Sequence, residues 1–187
     1  GYDITDRYGV DPRLGTLGDV TELVRTARDR GMRVIADLVV NHTSVHHPWF
    51  VEARSSRDSP KRDWYVWQDT PPADGPEGVV FPDVESSLWQ YDEGTEQYYL
   101  HRFYSEQPDL NVANPEVRDE IARIMGFWTT LGLSGFRVDA VPFLLETSGQ
   151  DDEDALPDPH DYLADLSAFL RRRNGGAVLL GEVNLPY

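Results

Sequence analysis

Three times in this chain a short run of apolar, mostly β-branched or leucine residues carries a carboxylate, and a helical pattern precedes each run. The runs are Val34-Ile35-Ala36-Asp37-Leu38-Val39-Val40, Gly135-Phe136-Arg137-Val138-Asp139-Ala140-Val141 and Ala177-Val178-Leu179-Leu180-Gly181-Glu182. Runs of this length suit strands covered on both faces. Ahead of the first, Val20, Leu23, Val24 and Ala27 recur at i, i+3, i+4 and i+7, Thr16 or Asp19 is placed to cap them, and Gly31 stands where a left-handed C-cap is wanted. Ahead of the second, Asn114 caps and Pro115 opens a stripe of Val117, Ile121, Ile124, Met125 and Trp128 that ends near Gly132. Ahead of the third, Tyr162, Leu166, Phe169 and Leu170 share a helix face, broken by Asn174-Gly175-Gly176. Strands alternating with helices imply right-handed crossovers and a parallel sheet. All three strands then run the same way, and Asp37, Asp139 and Glu182 gather at the carboxyl-end rim, where α/β sheets and barrels place their sites.

The 187 residues suit one domain or a piece of a larger one. Residues 43–112 are too long for an ordinary connection, show no sustained helical period and hold four of the five Trp residues, which predicts an inserted, subdomain-like excursion. Its rings either form the core of that excursion or line a cleft. A formal charge of −16 repels phosphate backbones and anionic lipid, so nucleic acid and membranes are poor partners. No window approaches the ~18 apolar residues of a membrane span, and no basic-then-apolar leader is evident, so a cytoplasmic protein is expected. Cysteine is absent, which removes thiol nucleophiles and thiolate zinc sites. Asp151-Asp152-Glu153-Asp154 reads as a solvated acidic loop.

The remaining chemistry belongs to Asp, Glu and His. Arg137 and Asp139 are two apart on a strand and share a face, so the guanidinium should keep Asp139 ionised, as a nucleophile requires. No base lies near Glu182 in sequence, so partial burial should keep it protonated as a general acid. Retaining glycosidases use two such carboxyls at ~5–5.5 Å. A reading of Asp37, Asp139 and Glu182 as ligands of a divalent-metal hydrolase stays open at this level, whereas His42 and His46, four apart as a zinc pair on one helix face would be, are opposed by Pro48 and by the lack of a third nearby ligand.

Asp37-Leu38-Val39-Val40-Asn41-His42, Gly135-Phe136-Arg137-Val138-Asp139-Ala140-Val141 and Gly181-Glu182-Val183-Asn184 resemble, in order, three signature regions of the α-amylase family of glycoside hydrolases. Gln107-Pro108-Asp109-Leu110-Asn111 resembles the additional region of the α-glucosidase branch, and Gly1-Tyr2-Asp3 the turn after the second barrel strand. The segments Val66-Trp67-Gln68-Asp69-Thr70 and Tyr98-Tyr99-Leu100-His101-Arg102-Phe103, with Ala140 to Leu144, are most similar to the branch that interconverts maltose and trehalose. The resemblance implies an α/β fold: part of a (β/α)8 TIM barrel, about strands 3 to 5 with their helices, with a long inserted loop subdomain. It implies action on α-linked glucose oligosaccharides such as maltose or trehalose. Asp139 would be the nucleophile and Glu182 the acid/base, with Arg137 holding the nucleophile and Asp37 orienting the site from beneath. His42 would bind a sugar hydroxyl, Tyr2 would stack on the ring, and Phe103 and Gln107 would border the same subsite. No cofactor is implied for the chemistry. A structural calcium is, with Asn41, Asp109, Glu146 and the carbonyls of Phe143 and Leu144 as ligands; read alone, the same residues are equally an ordinary polar loop.

Gly181 and Val183 depart from the alanines expected around Glu182 in the maltose and trehalose branch, so isomerisation and hydrolysis both remain open, as does a non-catalytic carbohydrate-binding or assembly role. The family's third carboxylate is not in these 187 residues. The chain is therefore expected to be a fragment, inactive by itself without the missing remainder of the barrel, and its open sheet edges predict association into oligomers.

Overall fold

The computed structural model describes residues 2–70, 78–143 and 159–183. Helix α1 (Leu17–Asp29) starts with a reciprocal capping box, in which the Thr16 side chain accepts from the Asp19 backbone and the Asp19 carboxylate accepts from the Thr16 backbone. Both candidate caps are thus used. At its other end Gly31 takes φ +74, with Gly31 N–H donating to Arg28 and Met32 N–H to Ala27, the paired bonds of a Schellman stop. Val24 and Ala27 are buried, but Leu23 is 59% exposed. That corrects the expected stripe: the core contacts of α1 run through Val24, and Leu23 falls outside that arc.

Strands β1 (Ala36–Leu38), β5 (Gly135–Val138) and β6 (Val178–Gly181) form a parallel sheet in the order β1-β5-β6. Each strand is shorter than its apolar run, and β1 and β6 are the edges. In register Asp37 lies beside Arg137 and Arg137 beside Leu180; one step on, Leu38, Val138 and Gly181 align. Helices α1, α3 (Pro115–Thr130, capped by Asn114) and α4 (Pro159–Arg173) cover one face, where Leu38, Phe136 and Val138 are buried against Val24, Val117, Ile121, Leu166 and Leu170. The opposite face carries Asp37, Arg137 and Leu180 and lies open, with Leu180 51% exposed. The expectation of strands covered on both faces therefore fails for the described residues. An apolar run cannot reveal that alternate positions on one face are Asp, Arg, Asp and Glu.

The excursion builds helix α2 (Pro48–Ala53), a 3-10 turn (Arg62–Trp64) and a second sheet of β2 (Trp67–Gln68), β4 (Gln97–Leu100) and β3 (Trp89–Asp92), antiparallel in the order β2-β4-β3. Phe50 is fully buried, edge-on to Tyr65 and Tyr99 and stacked on Trp67. Arg62 lies 3.3 Å over the Trp67 ring and donates to the Ala53 carbonyl. These rings join the same core as the parallel sheet, so most of the aromatic cluster is packing. What positions the site is the return of the chain: Leu110 N–H donates to the Asn41 carbonyl and Thr43 N–H to the Pro108 carbonyl, laying residues 108–110 against 41–43 at the end of β1. Among the described residues no helix is long and apolar enough to cross a membrane.

Candidate active site

Asp139 and Glu182 each stand one residue beyond a strand end, at the next register step after the Val138–Gly181 pair. Backbone bonds continue the ladder there, from Asp139 N–H to Leu38 and from Glu182 N–H to Val138. Residues 137, 139 and 182 share the open face, and Asp37 and Arg137 sit one layer beneath the two acids. Asp139 and Glu182 face each other and are joined by a hydrogen bond between their carboxyls. Ala140 has φ +54, an unusual value for a residue with a side chain, and its backbone N–H donates to Glu182. Such strain is characteristic of functional sites.

Arg137 touches all three acids: Asp37 at 2.8 Å, Asp139 at 3.4 Å and Glu182 at 2.5 Å. The expected division of charge is therefore reversed. Burial, and then the hydrogen bond with Glu182, push the Asp139 carboxyl up to about 6. The bond from Asp139 holds Glu182 below its ordinary value, with help from Ala140 N–H and Arg137. No base neighbours Glu182 in sequence, but the parallel register supplies Arg137 from the adjacent strand. The two carboxyls touch instead of standing ~5–5.5 Å apart. Two carboxyls in contact hold one proton between them. Arg137 also occupies the centre that a metal would need among Asp37, Asp139 and Glu182, and no group of three acid or histidine side chains suited to a metal occurs among the described residues. This overturns the metal-hydrolase reading.

His42 lies beside this group at 2% exposure, and neither ring nitrogen has a hydrogen-bond partner of full geometry, the Tyr2 backbone making the nearest approach. Burial, and then Arg7, push its pKa down to about 4, so the ring is neutral. A buried imidazole so poorly bonded is costly unless something supplies the missing bonds. Phe103 packs on the ring at 5.2 Å, and the half-exposed Tyr2 side chain is hydrogen-bonded to Arg137. Gln107 is half-buried, next to the 108–110 segment that lies against 41–43. His46 is exposed and lies with His42 on no helix, so the zinc pairing falls.

Asn41 and Asp109 come together, both buried, with the Asn41 amide donating to Asp109 at 3.1 Å. Arg102 pairs with Asp109 at 3.1 Å, yet burial still pushes that carboxyl up to about 7. Two buried, adjacent oxygen-bearing side chains are of the type a hard cation such as calcium takes, with Arg102 already meeting part of the Asp109 charge. Leu144 and Glu146 fall outside the described residues; Phe143 ends a 3-10 turn that begins at Val141. The acidic run 151–154 is also outside them. Sequence reasoning missed Arg7 and Arg102, buried cations whose partners are 7 to 35 residues away and which no local pattern marks.

Comparison with known proteins agrees with this geometry. Residues 1–186 match the family described as Alpha amylase, catalytic domain. The trehalose synthase of Thermus thermophilus is 50% identical over 186 residues, covering 99% of this chain and 19% of that protein. A probable alpha-glucosidase of Rhizobium meliloti (strain 1021) is 44% identical over 156 residues, 83% of this chain and 28% of that protein. Among solved structures, the isomaltulose synthase SmuA from Protaminobacter rubrum superposes with a TM-score of 0.86 at 33% identity, covering 100% of this chain and 35% of that one. The chain thus spans between a fifth and about a third of the length of these relatives.

Proposed function

This chain belongs to the alpha-amylase family, matching its catalytic domain as part of a (β/α)8 barrel, and on that premise we propose that it carries the nucleophile and the acid/base of a retaining α-glucosyl transfer, with maltose–trehalose interconversion as the reaction. The observation that carries the reading is the Asp139–Glu182 contact, with Arg137 beneath it and His42 beside it, buried without a hydrogen bond of full geometry. A sugar ring entering over Tyr2 and Phe103 parts the two carboxyls. The shared proton goes to Glu182, and Arg137 is left to the ionised Asp139. Asp139 then attacks the anomeric carbon while Glu182 protonates the leaving oxygen. In the second step Glu182 takes the proton of the incoming hydroxyl and Asp139 departs, so configuration is retained. His42, neutral and desolvated, bonds a hydroxyl of the same ring.

Isomerisation and hydrolysis share the first step and differ in whether released glucose or water meets the glucosyl-enzyme. The trehalose synthase likeness favours the former; the alpha-glucosidase likeness keeps the latter as the second reading. Product analysis on maltose with the protein at its full natural length decides: trehalose supports the proposal, glucose alone supports hydrolysis, and turnover surviving Asp139→Ala removes both. The same reading assigns Asn41 and Asp109 to a calcium-type ion that neutralises buried charge and takes no part in the bond changes. Chelation should then lower the melting temperature, and Asp109→Asn should abolish that response. Melting indifferent to chelator would remove the ion.

A further inference from the structure

We propose that Arg7 is a positioning residue that locks the segment carrying Tyr2 to the segment carrying His42, so that both meet one sugar ring. The inference rests on the α-glucosyl reading of the site and adds to it a residue with no place in that chemistry. Arg7 is 7% exposed. Its guanidinium donates to the Val39 carbonyl and, at 2.6 Å, to the His42 carbonyl, both beyond the last residue of β1. Backbone carbonyls there have left the ladder and need other donors. The tie is doubled: Ser44 N–H donates to the Ile4 carbonyl at 3.0 Å. It is anchored as well, since the Trp128 indole donates to the Arg7 carbonyl at 2.8 Å. Residues 2–7 are thus held on 39–44 from both sides, and Tyr2 and His42 sit at the ends of this brace.

Charge pairing does not account for a cation at this place. Arg7 pairs with no carboxylate among the described residues, its Nε has no partner, and burial pushes its pKa down to about 10. The Trp49 ring, 5.9 Å from the guanidinium carbon, offers weak compensation. A buried charge without a counter-ion costs more than an apolar side chain of the same volume. What the fork supplies, and an apolar side chain cannot, is two directed bonds to carbonyls three residues apart.

The test compares Arg7→Met and Arg7→Lys with the wild type, at full natural length, using α-glucosyl fluoride. This donor fills only the glucosyl pocket: Asp139 displaces fluoride at the anomeric carbon, and water later releases glucose. Arg7→Met should raise KM about tenfold while kcat falls less, and the two carbonyls left without a donor should lower the melting temperature as well. Arg7→Lys, with three donors on one nitrogen in place of five on a planar fork, should fall between. Unchanged KM in both variants, or a lowered melting temperature with wild-type KM, would overturn the inference. If Arg7→Met does not fold, Arg7→Gln replaces it. Independently of turnover, amide exchange at Thr43 and Ser44 should quicken in the variants while β5 keeps its protection; unchanged exchange there also overturns the brace. A wild type that releases no fluoride, or an Asp139→Asn variant that still does, refutes the α-glucosyl reading instead, and leaves the exchange measurement to judge Arg7.

Discussion

Arg137 illustrates how one side chain sets the charge of its neighbours. With Glu182 at 2.5 Å and Asp139 at 3.4 Å, the guanidinium favours ionised Glu182 and leaves the proton on Asp139 until a ligand parts the pair. Glu182→Gln should therefore lower the Asp139 titration midpoint from about 6, because the amide donates to the ionised form and the like charge is gone; carboxyl NMR that finds the midpoint unmoved would refute the shared proton. His47 gives a second prediction. Burial, and then Arg7, depress its pKa to about 4, so the unfolded chain binds a proton that the folded one refuses between about 6.5 and 4. The stability this neutral ring confers is complete above the unfolded pKa and is lost as pH falls through that window. Its Nδ1 also accepts from Trp49 N–H as the cap of α2. His47→Asn keeps a capping acceptor without the titration, so its melting temperature should fall less between pH 7 and pH 4.5 than that of the wild type; parallel curves would disprove the assignment.

Among the elements, the helices were the most legible, because capping and termination are written within a few residues of each end. The strands were legible in identity and not in extent, since an edge strand pairs only where its single neighbour reaches. Two glycines separate these cases. Gly135 takes φ +153, and a Cβ there would lie 1.9 Å from the Val178 carbonyl oxygen of β6. Gly135→Ala should cost about 3 kcal/mol or more, read by urea unfolding. Gly31, at φ +74 with nothing within 4 Å, should lose only about 1 to 2 kcal/mol as alanine. Equal losses would mean that the β5–β6 approach is not as close as described. A glycine in the sequence marks both positions; only the fold shows that one of them faces a neighbouring backbone.

For the whole molecule, the exposed apolar residues of the sheet lie on its edge strands and beside them: Ile35 at 40%, Val178 at 41% and Leu180 at 51%. A groove of about 760 Å³ follows β1, floored by Val20, Ile124, Trp128 and Leu133. Edges of this kind pair with other chains. The isolated 187 residues should associate with rising concentration in sedimentation velocity, and Ile35→Lys with Leu180→Glu should reduce this; a monomer at every concentration would show that the edges are inert. The sequence by itself determined what depends on near neighbours: helix limits, a parallel alternation, and three acids delivered to one rim by the direction of their strands. The tertiary structure decided what depends on groups brought together from far along the chain. It chose the carboxylate that Arg137 serves across 45 residues, placed Asp109 on Asn41 across 68, and left His42 buried without a partner of full geometry. Periodicity is a local property of the backbone, whereas protonation and hydrogen-bond satisfaction depend on which atoms lie within a few ångströms, and strand register and the long excursion fix that.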